Sequence, residues 1–111
     1  MNLSALDNAF TALADPTRRA IVERLAEAPS RVTDIAKPFA MSLNAVSKHL
    51  KVLERAGMLK RVRKGREHQI ALRPAPLREV AKWTARYERF WNDRLDRLEL
   101  YFETQNKKER P

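Results

Sequence analysis

The stretch SLNAVSKHLKVLERAG, residues 42 to 57, carries the sharpest division of apolar and polar positions in the chain. Val46, Leu50 and Leu53 recur at helical spacing and predict one buried stripe. Asn44, Ser47, Lys48, Lys51 and Arg55 fall on the opposite face. Ser42 suits the N-cap, because its hydroxyl can accept from a backbone N–H that the first turn leaves unpaired. Gly57 suits the left-handed residue that closes a helix. The outer face holds a single acid, Glu54, and its first turns offer short polar groups able to approach a base edge. A helix whose N-terminal end enters the major groove of DNA needs that combination. A solvated amphipathic helix satisfies the same pattern, so the flanking segments decide between the two.

Upstream, Leu3, Leu6, Phe10 and Leu13 predict a first helix ending at Ala14. Asp15-Pro16 restarts the helical pattern, with Asp as N-cap and Pro at the first helical position. This second helix is expected to reach about Ala28, with Ile21, Val22 and Leu25 inward and Pro29 behind it. Arg18 and Arg19 lie near its start, where the helix dipole disfavours cations. They read as solvated charge, with a phosphate contact as the alternative. Val32 to Lys37 predicts a short helix capped by Thr33 or Ser30, with Val32 and Ile35 inward. Lys37-Pro38 stops it, because the residue before a proline is pushed out of the α region. Pro38 to Met41 then turns into the Ser42 helix, and the whole is a helix-turn-helix with Phe39 plugging its angle.

Downstream, Met58 to Arg63 and Glu67 to Leu72 predict two strands joined at Lys64-Gly65. His68, Ile70 and Leu72 alternate with Glu67, Gln69 and Ala71, as in a half-buried strand. Bases at a hairpin tip can guard an edge against aggregation. Beside a helix-turn-helix, Arg63, Lys64 and Arg66 read instead as a wing that grips a phosphate backbone or reaches a minor groove. Arg73-Pro74-Ala75-Pro76 breaks the strand, and a last helix is expected from about Pro76 to near Thr104. Leu77, Val80, Thr84, Tyr87, Trp91, Leu95, Leu98 and Phe102 step close to a heptad seam, and Trp83 and Phe90 widen it. A second copy of the chain is the natural cover for so much apolar surface on a terminal helix. The expected dimer interface is Leu3, Leu6, Phe10, Val80, Trp83, Thr84, Tyr87, Trp91, Leu95 and Leu98.

Length and charge sharpen this picture. A chain of 111 residues is one small domain. Its formal charge is +9, and residues 42 to 68 hold eight bases against two acids, so most of the excess sits in the helix and wing. A basic patch on a near-balanced background points to nucleic acid. An anionic membrane is a poorer partner, since the basic stretch lacks a strongly apolar face to bury. The chain has no cysteine, hence no disulfide, thiolate metal site or cysteine nucleophile. MNLSALDNAF does not have the build of a signal peptide, and no apolar run approaches a membrane span. The expected location is the cytoplasm.

No catalytic constellation is visible. Of the two histidines, His49 is expected to be packed and hydrogen-bonded, and His68 lies far from any nucleophile. With only Gly57 and Gly65 there is no glycine-rich phosphate loop. The acids of the last helix alternate with bases, as on a solvated face. The reading is of a non-enzyme without cofactor.

FTALADPTRRAIVERLAEAPSRVTDIAKPFAM, SLNAVSKHLKVLERAGML and KRVRKGREHQIAL together resemble the ArsR-type winged helix-turn-helix repressors, over roughly residues 8 to 72. The resemblance implies a dimeric bacterial transcription regulator, mainly α with a small β-hairpin wing and long N- and C-terminal dimerisation helices. The expected organisation is a winged helix-turn-helix domain over residues 1 to 106, with dimerisation helices at about 1–14 and 76–104, and a disordered tail from 107 to 111. Expected DNA contacts are Ser42, Leu43, Asn44, Ala45, Ser47, Lys48, Lys51, Arg63, Lys64 and Arg66, on double-stranded DNA bearing an inverted repeat. Metal sensors of this type carry cysteines on the helix before the reading helix, or acid and histidine pairs on the last helix. Here the first location reads VTDIAKPFA, with Asp34 its only candidate, and the last helix has no histidine. The expectation is therefore a homodimeric, sequence-specific repressor with no metal site, its effector or partner protein left open. The alternatives are a protein-interaction module built on the same scaffold, and a repressor with a small-molecule effector at the aromatic dimer interface.

Overall fold

Caps and stops set the element boundaries. In a computed structural model of the chain, which describes residues 3–109, the order is α1 Leu3–Leu13, α2 Pro16–Leu25, α3 Val32–Ala36, α4 Leu43–Arg55, β1 Leu59–Lys64, β2 Glu67–Leu72 and α5 Pro74–Glu109. The chain divides after Val80 into two units. The first holds α1 to the start of α5. The second is the remainder of α5.

Asp15 caps α2, accepting from the Arg18 backbone N–H at 3.0 Å, with Pro16 behind it as the first helical residue. Ser42 caps α4 in the same way, its hydroxyl accepting from the Ala45 N–H at 3.1 Å. At the other end of α4 the Gly57 N–H reaches the Glu54 carbonyl and the Met58 N–H reaches the Leu53 carbonyl, both at 3.0 Å. Gly57 has φ 74°, so this is a Schellman closure. Its apolar contact follows: Leu53 and Met58 are both fully buried.

The core of the first unit gathers one stripe from each helix. Val46, Leu50 and Leu53 of α4 meet Ile21, Val22 and Leu25 of α2, Ile35 of α3, Ala9 and Ala12 of α1, and Met58, Leu59 and Ile70 of the hairpin. Phe39 and Met41, in the turn between α3 and α4, pack against its edge, as do Leu77 and Val80 of α5. Ile21, Ile35, Leu50 and Leu53 retain 2% exposure or less, and truncating such a residue to alanine costs about 2–5 kcal/mol.

Several boundaries and roles differ from the sequence expectations. Helix α2 ends at Leu25, not Ala28, and α3 starts from Arg31 with no side-chain cap. Ser30 does not cap α3. Its backbone pairs with Ile70, donating at 3.1 Å and accepting at 2.8 Å, and so extends the β1–β2 ladder on the far edge of β2. With β1 on one edge and Ser30 on the other, the base of β2 is an interior strand of the ladder. Consecutive residues Ile70 and Ala71 are both buried there, so the expected alternation lapses, with His68 exposed near the tip. Helix α5 begins at Pro74 and continues to Glu109, beyond the expected end near Thr104. The expected tail is thus helical as far as Glu109, and Arg110 and Pro111 lie outside the described residues.

Asp15 is held below the ordinary carboxylate range, chiefly by the Arg18 backbone N–H and secondarily by the charges of His49 and Arg18. Asp34 is held below it by hydrogen bonds from Lys37 and Arg31. A carboxylate depressed on folding contributes stability that is full above its unfolded pKa, about 4, and is lost as pH falls through the folded value. Acid unfolding should therefore begin below about pH 4. The Asp15→Asn/Asp34→Asn variant should be less stable at pH 7 and show a shallower loss on acidification, read by thermal melts across pH 2–7.

Candidate nucleic-acid interface

The burial of one face of α4 decides what the other presents. Asn44, Lys48, Lys51 and Arg55 occupy the line directly opposite Val46, Leu50 and Leu53, and all four are exposed. Leu43, at the first helical position, is 51% exposed, although an apolar residue there would ordinarily turn inward. Ser42 is exposed beside it. Ala45 and Ser47 are half-buried on the flanks of the outward line. Glu54, the one acid of the helix, pairs with Arg61 of β1 at 3.4 Å. The outward line therefore keeps a net positive charge. At ~1.5 Å per residue it extends roughly 16 Å from Asn44 to Arg55.

The hairpin supplies the second set of bases. β1 and β2 pair antiparallel from Leu59↔Leu72 to Lys64↔Glu67, leaving Gly65 and Arg66 as a two-residue turn. Gly65 has φ 66° and no described non-glycine residue has positive φ, the arrangement of a type II′ turn, whose twist matches that of the strands. Arg63, Lys64 and Arg66 are all exposed around it. The Arg63 Nε donates to the Gly65 carbonyl at 3.1 Å. That holds the guanidinium at the tip, and with five donors it retains capacity for a phosphate. At the base, the Arg73 N–H donates to the Met58 carbonyl at 2.7 Å, and Arg31 bridges α3 and β2 through Asp34 at 3.2 Å and Glu67 at 3.5 Å.

All ten expected DNA-contact residues thus lie in the first unit, seven at or within α4 and three on the hairpin. The expected dimer residues divide between the units. In the first, Leu6 is half-buried, Phe10 is 39% exposed, and Val80 packs partly against the core; the side chain of Leu3 lies outside the described residues. In the second, Trp83, Thr84, Trp91, Leu95 and Leu98 are exposed. Tyr87 is half-buried, its ring 5.1 Å from that of Trp83. Leu100, Tyr101 and Phe102 are also exposed and lengthen the apolar surface. Arg94 lies over the Phe90 ring at 4.1 Å.

Arg18 and Arg19 have roles that the sequence did not reveal. Arg18 donates to the carbonyls of Ala12 and Thr11, and Arg19 to that of Leu13 at 2.8 Å. They are not free surface charge, because they close the C-terminal turn of α1. The signal for this site lies in the contact of α1 with α2, not in the local sequence. His49 is half-buried and contacts Arg18 and Asp15 instead of sitting within the core. Asp34, the one candidate ligand on α3, is paired with Arg31 and with Lys37 at 3.0 Å. Among the described residues, no three of His, Cys, Asp or Glu group as a metal site, and no helix is long and apolar enough to cross a membrane.

Comparison with known proteins agrees with this geometry. A helix-turn-helix domain model matches residues 13–62. The chain is 43% identical to the HTH-type transcriptional regulator Rv2034 of Mycobacterium tuberculosis over 89 residues, 80% of each chain. It is 33% identical to the transcriptional repressor SdpR of Bacillus subtilis over 78 residues, 70% of this chain and 87% of the relative. Among solved structures, an ArsR family transcriptional regulator matches at TM-score 0.70 with 39% identity, over 79% of this chain and 97% of its own. The homodimeric winged helix-turn-helix DNA-binding domain Mb0332 of Mycobacterium bovis shares the fold at TM-score 0.60 and 24% identity, over 86% of this chain and 85% of its own. With an outward basic helix, a basic hairpin and relatives of this kind, the chain belongs to the ArsR family of winged helix-turn-helix transcriptional regulators, DNA-binding proteins and not enzymes.

Proposed function

We propose that the protein is a homodimeric, cytoplasmic repressor that reads an inverted-repeat operator with α4 and grips the backbone with its hairpin, without responding to metal. The observation that carries this reading is the exposed line Asn44–Lys48–Lys51–Arg55 opposite a fully buried stripe. Asn44 is the base reader, since its amide can pair bidentately with adenine. Leu43, Ala45 and Ser47 meet thymine methyls or sugar, and Lys48, Lys51, Arg63, Lys64 and Arg66 meet phosphate. A two-fold dimer presents two such helices to half-sites about one helical turn apart, ~34 Å.

The dimer reading rests on exposed apolar surface. Trp91, Leu95 and Leu98 are each about half exposed along one side of α5, and contiguous exposed apolar residues mark interaction surfaces. The Mycobacterium bovis domain of the same fold is a homodimer. Independence from metal rests on donor chemistry. The chain lacks thiolates, and the Asp34 carboxylate is already paired with two cations. A transition metal takes three or four donors, most often thiolate or imidazole.

Four outcomes are expected. Lys64→Ala/Arg66→Ala should weaken operator and random duplex alike and flatten the salt dependence of log K, whereas Asn44→Ala should relax discrimination at one base position by roughly 1–3 kcal/mol. Equal losses for Asn44→Ala on both DNAs would remove it as a reader. Trp91→Glu should give a monomer by light scattering and abolish operator binding, because it buries an unpaired charge at the two-fold seam; a dimer that still binds DNA would misplace the seam. Zinc titrated against the operator complex should release no protein, and stoichiometric, chelator-reversible release would overturn the metal-free reading.

A further inference from the structure

One side chain joins three helices of the first unit. The Arg18 Nε donates to the Ala12 carbonyl at 2.6 Å and its Nη2 to the Thr11 carbonyl at 3.1 Å. Both carbonyls belong to the last turn of α1, which carries the negative end of the helix dipole; the Thr11 carbonyl also accepts from the Ala14 N–H at 3.2 Å. The remaining arm, Nη1, lies 3.4 Å from Nδ1 of His49 on α4. The same Nδ1 lies 3.8 Å from Oδ2 of Asp15, and that Oδ2 accepts from the Arg18 backbone N–H at 3.0 Å. The fork therefore stands in a fixed place on α2, and its planar geometry gives its three nitrogens fixed relative directions. Once Nε and Nη2 are committed to α1, the direction of Nη1 is set, and it meets α4.

His49 is well placed to feel this. It is half-buried, on the flank of α4 between the buried stripe and the outward line. A polar contact on the flank adds a directional restraint on rotation of the helix about its own axis to the non-directional burial beneath it. A functional constellation has to be held within about 0.5 Å and roughly 10–20° of its productive geometry. Slight rotation of α4 would carry Asn44 out of that range while leaving the core buried. We propose that Arg18 is a positioning residue for DNA reading, setting the rotation of α4 through His49 against the end of α1. The inference rests on α4 being the reading helix. Because α1 is also expected to meet the second copy, the same joint links dimer geometry to base readout.

The test uses an operator recovered by selection from random-sequence duplexes, a random duplex of equal length, and thermal melts of every variant. Arg18→Lys keeps a cation at the end of α1, but a lone ammonium cannot serve both the Ala12 carbonyl and His49. His49→Leu keeps bulk and removes the ring nitrogen that faces Arg18 Nη1 and Asp15 Oδ2. His49→Gln restores a polar side chain whose amide can meet either group. Arg18→Lys and His49→Leu should each weaken operator binding tenfold or more, with random-duplex binding changed less than twofold and the protein folded at the assay temperature. The double variant should lose no more than either single one, as expected of two residues acting as a unit, and His49→Gln should recover most of the loss. Parallel losses on both duplexes, additive losses in the double variant, or equal defects in His49→Gln and His49→Leu would overturn the proposal. Should Arg18→Lys fail to fold, the His49 pair decides alone. Asn44→Ala separates the underlying reading: if it leaves operator preference intact, α4 is not the reader and both ideas fall. If it abolishes preference while the Arg18 and His49 variants do not, only the joint falls.

Discussion

Everything that this protein offers to DNA depends on the burial of Val46, Leu50 and Leu53. These side chains have almost no exposure and pack against stripes from α1, α2, α3 and the hairpin. Apolar burial has no direction of its own, yet on a helix with 3.6 residues per turn it dictates which residues face the other way. The caps finish the work. Ser42 fixes where α4 begins, so Leu43 and Asn44 project from its first turn, and the Gly57 closure feeds Met58 back into the core and launches β1. Shifting α4 by one residue would send a lysine inward and a leucine out, at a cost comparable to the whole stability of a small domain.

Around that core, charges are paired where they would otherwise conflict and left outward where a polyanion could use them. Glu54, the one acid of α4, is paired with Arg61. Arg31, Asp34, Lys37 and Glu67 satisfy one another at the junction of α3 and β2. Such exposed pairs add little to stability. Their consequence is electrostatic, because the acids close to the interface no longer oppose the lysines and arginines of α4 and the hairpin tip. The basic surface is therefore more uniform than the count of charges along the chain suggests.

Much of this could be read from residue order. Helical spacing located α4 and its two faces, Asp15-Pro16 and Ser42 marked two starts, and Gly57 and Gly65 marked a stop and a turn, each through local physics that acts over a few residues. What escaped was the joining of segments distant in sequence. Ser30 looks like a cap beside Val32, but it is a bridge partner for Ile70, forty residues away. Arg18 and Arg19 look misplaced at the start of α2 until the carbonyls of α1 are brought against them. The end of α5 is hidden for a related reason: TQNKKE has the polarity of a frayed end but contains no helix breaker, and the helix runs through it to Glu109.

Hydroxyl-radical footprinting with 7-deazaadenine interference, on an operator selected from random duplexes, tests the central claim most directly. Two protected backbone windows are expected, centred about one helical turn (~34 Å) apart, each containing a major-groove adenine whose replacement by 7-deazaadenine weakens binding, as a bidentate Asn44 contact requires. A single continuous window with no adenine sensitive to that replacement would contradict the claim, since the protein would then be holding the backbone without reading bases through α4.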